Sequence, residues 1–451
     1  MKRTLATAVL ALSAALVGGA ADAAAAAPRL VKGPYLTALS DTGVEVRFEL
    51  DTAAPAGVEL SGGEGSGDSA AAQTVADGPA SMHAVRVTGL EPGRAYAYAV
   101  RVGGAVVGSG RFVTAPRADA GTPVTFLLYG DDRSNDATHA AIVRAMLATP
   151  SDFLVNTGDI VADGGNPVDW QTFFQIEQPL LRDRALFLCI GNHELSDDRA
   201  GSAFARYFGY TDPTDAAGGP QPYGTMRWGM VRLFLLNGMH DWQGGAERAW
   251  LERELTRSDT EPGLVWRIAV VHHSPWSSGP HGGNAKLDAA HVPELLAAHK
   301  VDLLLAGHDH IYERGERDGS LPLKYVISGG GGAPLYPIEH RQPTTRKAES
   351  AYHFVEMTLT RDALRTVAHR LDGTVLESCG FTRGHPWDCD ETPKTASSGQ
   401  ALAPAPGDAP PTSSRCGCVI PGAPLGVVAG AWLALAGVAA AGVVAARRRR
   451  G

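Results

Sequence analysis

The sequence predicts an α/β layered domain with covered sheet faces, preceded by a small all-β sandwich. Three observations predict it. From Val124 onward, continuous apolar runs recur: "VTFLLYG", "DFLVNTG", "ALFLCIG", "VRLFLLNG", "RIAVVHH" and "VDLLLAGH". Runs that are apolar on both alternating faces suit strands buried on both sides. Helical stretches, "HAAIVRAMLA", "ERAWLEREL" and "VPELLAAH", lie between some of them, the alternation of a layered α/β domain. Ahead of this, residues 29 to 116 carry short alternating segments such as "VEVRFEL", "HAVRV", "YAYAVRV" and "GRFVTA", separated by glycine-rich turns.

The ends read differently from the middle. The first residues place Lys2 and Arg3 before an apolar stretch and then the small-x-small triplet Ala21-Asp22-Ala23, the form of a signal peptide over 1–23. An uncleaved anchor helix is the other reading of that stretch. "TAPRADAGTP" separates the β region from an α/β domain expected over 122–375, and residues 391–415, rich in Pro, Ser and Ala, form an extended stalk. From Leu425 to Ala446 no charge interrupts the chain, enough to cross a hydrocarbon core of about 30 Å. Arg447 to Arg450 follow, which places the C-terminus inside and the rest of the chain outside.

The chain has 451 residues, 44% of them hydrophobic, and a formal charge of -8, so nothing suggests a nucleic-acid partner. Five cysteines fit an exported protein. Cys379 and Cys389 lie in a loop-like stretch and could pair, whereas Cys189 reads as a small buried hydrophobe.

Polar residues able to bind metal stand at the ends of the apolar runs, where α/β sheets place their sites. They are Asp131 in "YGDDRSN", Asp159 in "NTGDIVADGG", Asn192 and His193 in "IGNHE", His273 in "VVHHSPW", and His308 and His310 in "GHDH". Each alone is a turn or a capped strand end. Together they form a set of hard oxygen and imidazole donors without cysteine, which suits a dinuclear centre with metals roughly 3.5–4 Å apart.

These five motifs, in order, resemble the calcineurin-like metallophosphoesterase superfamily over roughly residues 124 to 340. "GHDHIYERG", "HSPW" and the leading domain are similar to its purple acid phosphatase-like branch. "LEPGRAYAYAV" resembles a fibronectin type III domain, with Tyr96 as its corner tyrosine. The resemblance implies a four-layer α/β/β/α sandwich behind a fibronectin-like domain over 29–116. It also implies two metal ions, Mn, Fe or Zn. Asp159 would bridge them, Asp131 and His310 would hold the first, and Asn192, His273 and His308 the second. His-x-Pro spacing favours His273 over His272. His193 would be the general acid, with Glu194 as its orienting partner, and Arg133, His281 and Asn192 would face the phosphate. "CGC" ahead of the apolar span resembles a myxobacterial C-terminal sorting segment over 416–451, implying processing near Cys416 and a lipid anchor or membrane helix.

Two positions depart from the branch. Ala162 stands where the purple enzymes carry a tyrosine on ferric iron, and Arg133 stands where many superfamily members have histidine. A guanidinium is no metal ligand but suits phosphate. The expected function is an exported, surface-tethered phosphatase hydrolysing phosphate monoesters through a metal-activated water. A phosphodiesterase or nucleotidase of the same fold, and a surface binding protein with a weakened site, are the alternatives.

Overall fold

The computed structural model describes residues 27–62, 73–211, 220–239, 242–319 and 322–390. The expected signal peptide, the stalk and the C-terminal segment lie outside them. Among the described residues no helix is long and apolar enough to cross a membrane.

Five strands build the leading region: β1 (Leu30–Thr37), β2 (Gly43–Gly62), β3 (Gln73–Thr88), β4 (Ala95–Val102) and β5 (Ala105–Val113). They form one continuous hydrogen-bonded sheet rather than two separate ones. The first half of β2 pairs with β1, the second half with β4, and β3 runs alongside both. Register shifts between Glu49 and Ala56 let the long strand bend. The Tyr96 hydroxyl accepts the Glu91 amide at 2.9 Å, a tyrosine corner as the sequence suggested. Tyr35 and Tyr98 hydroxyls donate to the carbonyls of Tyr207 and Arg182, fixing this region to the layered domain.

The layered domain begins with β6 (Val124–Tyr129), α1 (Asp136–Leu147), β7 (Phe153–Asn156), α2 (Pro167–Leu181), β8 (Leu186–Leu188) and α3 (Ser202–Phe208). It continues with β9 (Gly224–Trp228), β10 (Val231–Leu236), α4 (Ala246–Asp259), β11 (Trp266–His273), α5 (Ala285–Ala289), α6 (Val292–Ala298) and β12 (Leu303–Gly307). It closes with β13 (Tyr312–Arg317), β14 (Leu323–Ser328), β15 (Thr345–Glu349), β16 (His353–Leu359), β17 (Ala363–Arg370), β18 (Val375–Thr382) and β19 (Asp388–Cys389).

Two seven-stranded sheets result, ordered β15-β13-β14-β12-β11-β10-β9 and β19-β18-β17-β16-β6-β7-β8. Their inner faces share one apolar core, in which Phe126, Phe153 and Val155 meet Leu233, Val270 and Leu305. Alternation along each strand sends the other residues outward. Leu127, Leu154 and Leu186 pack under Ile142, Phe173 and Phe204 of α1, α2 and α3. Phe234, Ala269 and Leu304 pack under Trp250, Leu251 and Leu296 of α4 and α6. The layers are therefore α/β/β/α, as the resemblance implied.

The sheet runs past residue 375, where the domain was expected to end. Cys379 and Cys389 form a disulfide that joins two paired strands, β18 and β19, not a loop. Cys189 is buried.

Candidate metal centre

The parallel strands β6, β7 and β8 end side by side, as do β11 and β12 in the facing sheet, so their exits meet across one cleft. Asp131 and Asp159 follow β6 and β7 with φ of 55° and 59°, and His308 follows β12 at 69°. Left-handed backbone at three non-glycine residues costs on the order of 1 kcal/mol or more each, strain typical of functional turns. The glycines of the motifs have a steric reason. A Cβ at Gly191 would collide with Asp159 Oδ1, and one at Gly307 with Asp131 Oδ2.

All nine residues predicted for the site come together here. Asp159 is the hub: Oδ1 accepts the His193 amide at 2.9 Å and lies 3.3 Å from His272 Nε2, while Oδ2 accepts Arg133 Nε at 3.2 Å. Asp131 Oδ2 accepts the His308 amide at 2.9 Å, and its Oδ1 lies 3.6 Å from His310 Nε2. Asn192 Oδ1 lies 3.1 Å from His273 Nε2 and 3.2 Å from His272 Nε2. The His281 ring lies tilted beside His308 with centroids 4.2 Å apart, its Nδ1 held by Asp309 at 2.7 Å.

The imidazoles are oriented by backbone carbonyls. His310 Nδ1 donates to Pro334 O at 2.6 Å, and His272 Nδ1 donates to Thr157 O at 2.7 Å. A carbonyl can only accept, so the proton sits on Nδ1 and Nε2 turns into the cleft, the usual preparation of a metal-binding histidine. Burial, with the cationic His272 nearby, lowers the pKa of His273 to about 3. Burial, opposed by the Pro334 bond and aided by Arg133, lowers His310 to about 4. Both stay neutral and available as donors.

A cation fits this arrangement. Asp131 Oδ1 is fully buried with no hydrogen-bond partner. Burial would raise Asp159, yet the charges of His272, His193 and Arg133 hold it well below the usual carboxylate range. Burial would lower His272, but Asp159, Asp131 and Glu194 raise it to about 9. Positive charge is thus drawn to the point that Asp131, Asp159 and His272 share, with donor atoms within 4.8 Å of one another. His272, His273 and His308 converge equally closely on a second point.

Residues 125–312 match the family model described as calcineurin-like phosphoesterase. Residues 125–312 form a calcineurin-like phosphoesterase domain. Purple acid phosphatase 4 of Arabidopsis thaliana is 24% identical over 315 residues, 61% of this chain and 85% of that protein. Probable purple acid phosphatase 20 of the same plant is 27% identical over 238 residues, 49% of this chain and 55% of its own length. Among solved structures, a purple acid phosphatase from yellow lupin seeds aligns over 79% of this chain and 74% of its own, with TM-score 0.65 and 17% identity. PhoD aligns over 81% of this chain and 92% of its own, with TM-score 0.61 and 12% identity. The phosphoesterase fold is one that uses a dinuclear metal centre, and these relatives support a metal-dependent phosphatase.

Three expectations change within the phosphoesterase domain. His-x-Pro spacing set His272 aside in favour of His273, but His272 Nε2 reaches both Asp159 and Asn192 and belongs to both donor groups. Glu194 was expected to orient His193. Its carboxylate instead accepts the amides of Asp159, Ile160, Val161 and Gly191 at 2.7–3.3 Å, while His193 Nδ1 donates to Ala162 O at 2.6 Å. Burial and the neighbouring Asp159 charge raise Glu194 to about 7. Arg133 was placed at the rim, yet its side chain is 12% exposed and bonds to Asp159 and His310 inside the donor set. Tyr336, unassigned in the sequence, stacks on His310 at 4.0 Å.

Glu194→Ala removes the acceptor of four buried amides. Unfolding by denaturant is expected to show a loss of about 3 kcal/mol or more.

Proposed function

We propose that the chain is an exported, surface-tethered phosphatase that hydrolyses phosphate monoesters at a two-metal centre. The observation that carries this is Asp159, whose two carboxylate oxygens face two different sets of donors. Asp131, Asp159 and His310 would hold one cation; Asp159, Asn192, His272, His273 and His308 would hold the other. Bound there, cations would supply Lewis acidity toward the phosphoryl oxygens and lower the pKa of a water nucleophile.

The chain's own groups do the rest. His193 Nδ1 is tied to Ala162 O, which turns Nε2 toward the cleft, 3.9 Å from Asp159 Oδ2. The protonated ring carries its second proton on Nε2, placed to reach a leaving alkoxide. Asp309 accepts from His281 Nδ1, so Nε2 is directed away from that carboxylate, where the doubly protonated ring would donate to phosphate. A cleft of about 420 Å³, lined by His273, His281, His308 and Lys286, leaves room for the ester. Arg133 lies beside Asp159 and His310; with those two side chains committed to a cation, its guanidinium fork would be free to pair with phosphate oxygens.

Arg133→Ala is expected to raise KM for a phosphate ester roughly tenfold to a hundredfold, with bound metal unchanged. Steady-state kinetics beside elemental analysis checks this. Loss of metal together with activity would make Arg133 part of the cluster's architecture instead.

Export rests on the N-terminal leader pattern and on the Cys379–Cys389 disulfide, which suits an oxidising compartment. The tether rests on the apolar stretch before Arg447–Arg450, retained as a membrane helix or replaced by lipid at Cys416. Residues 29–116 form the fibronectin-like domain in this reading, and 391–415 the stalk.

A further inference from the structure

One residue beyond Asp131, a second set of donors converges that the phosphatase reading does not use. Asp132 follows β6, His139 lies on α1 and Glu177 on α2, and their exposures are 1%, 3% and 0%. His139 Nε2 lies 2.7 Å from Glu177 Oε1 and 3.2 Å from Asp132 Oδ2. One N–H serves one acceptor fully, so the two carboxylates compete for it. Asp132 Oδ1 is satisfied by Asn156 Nδ2 at 2.9 Å. Asp132 Oδ2 and Glu177 Oε2 are buried without a hydrogen-bond partner, and so is the hydroxyl of Tyr129. That hydroxyl is close enough to Glu177 and Asp132 that, after burial, their charges raise its pKa.

Two carboxylates against one imidazole leave at least one net negative charge in a closed site. Burying an uncompensated carboxylate costs several kcal/mol. A divalent cation would remove that imbalance and give the unpartnered oxygens a partner. The donor atoms already lie within 4.8 Å of one another. Imidazole nitrogen with carboxylate oxygen suits zinc or manganese. A cavity of about 520 Å³ lined by Asp132, His139, Ala162 and Phe173 provides the entry path such a site needs.

We propose that Asp132, His139 and Glu177 bind a divalent transition-metal ion at a site separate from the catalytic cluster, tying α1 and α2 to the loop that carries Asp131. The ion is structural: it holds the Asp131 turn from behind through Asp132, and the Asp159 turn through Asn156, whose Oδ1 accepts the Gly158 amide at 2.8 Å.

Metal counting tests this. The purified full chain carrying Asp159→Ala and His308→Ala, which cripples the catalytic cluster, is stripped with chelator, titrated with Zn²⁺ and assayed by elemental mass spectrometry. One Zn²⁺ per chain is expected to remain, and adding Glu177→Gln is expected to weaken it at least tenfold. No retained Zn²⁺, or retention that Glu177→Gln leaves unchanged, overturns the proposal and makes the cluster a closed, proton-sharing clamp. Should the variants fail to fold, crystals of the zinc-loaded wild-type protein decide. An anomalous zinc peak between Asp132 Oδ2 and His139 Nε2 upholds the site, and its absence there overturns it.

Discussion

Asp159→Ala is expected to lower turnover of a phosphate monoester by on the order of a thousandfold or more and to reduce the metal bound at the catalytic cluster from two ions to at most one. The size follows from what Asp159 touches. Its Oδ1 faces His272 and the His193 amide, and its Oδ2 faces Arg133, so a single truncation strips both cation positions of their shared anion. Metal ions contribute several kcal/mol of charge stabilisation in phosphoryl transfer, and each 1.36 kcal/mol is tenfold in rate. The expected drop therefore exceeds that of any ligand serving one position. Elemental analysis beside steady-state kinetics checks both halves. Lost activity with two ions still bound at that cluster would mean that Asp159 does not bridge.

His193→Ala is expected to cost between about a hundredfold and ten-thousandfold in kcat, the range for removal of a positioned general acid. The loss should depend on the leaving group. p-Nitrophenolate departs readily without a proton, whereas an alkoxide does not, so the deficit should be small on p-nitrophenyl phosphate and large on an alkyl phosphate. Metal content should stay at the wild-type level, because His193 Nε2 lies 3.9 Å from Asp159 Oδ2 and its Nδ1 is committed to Ala162 O. Equal losses on both substrates would assign His193 to binding rather than proton transfer.

The candidate site was legible because each donor sits where an apolar run stops. The exits of β6, β7, β8, β11 and β12 carry Asp131, Asp159, Asn192, His273 and His308, and parallel strands bring their carboxyl ends to one side. The spacing also revealed which donors share a loop: His308 and His310 flank Asp309 and reach the two oxygens of one partner, Asp131 Oδ2 through the backbone and Asp131 Oδ1 through the ring.

What stayed hidden depends on chain segments distant in sequence. The choice between His272 and His273 turns on an irregular exit, because the β11–β12 register shifts between Val270 and His273. Spacing rules assume a regular strand, so both rings enter the cleft. Glu194 lies next to His193 in sequence, but the turn after β7 folds over it and presents three amides beside that of Gly191 in its own loop, a neighbour that no local pattern announces. Helix α2, capped by Asn166 and opened by Pro167, is not among the helical stretches read from the sequence; aromatic content and Pro179 inside its last turn mask its period. β18 and β19 were missed because Gly380 and the two cysteines read as loop, whereas pairing to β17 and the disulfide make them an edge.

The reading of this chain as a surface binding protein with a weakened site drew on Arg133 and Ala162. Both positions lie in the cleft: Arg133 on Asp159 and His310, and the Ala162 carbonyl against His193 Nδ1.

Phosphate release by the purified protein is the most direct test of the central claim. Metal-stripped protein would be reconstituted with Mn²⁺, Zn²⁺ or Fe²⁺ and offered p-nitrophenyl phosphate and bis-p-nitrophenyl phosphate, beside Asp159→Ala. The account predicts metal-dependent cleavage of the monoester in preference to the diester, abolished by the substitution. Preference for the diester would keep the phosphoesterase and correct the substrate. No turnover by folded protein with any of the metals would contradict the claim that this cleft is catalytic.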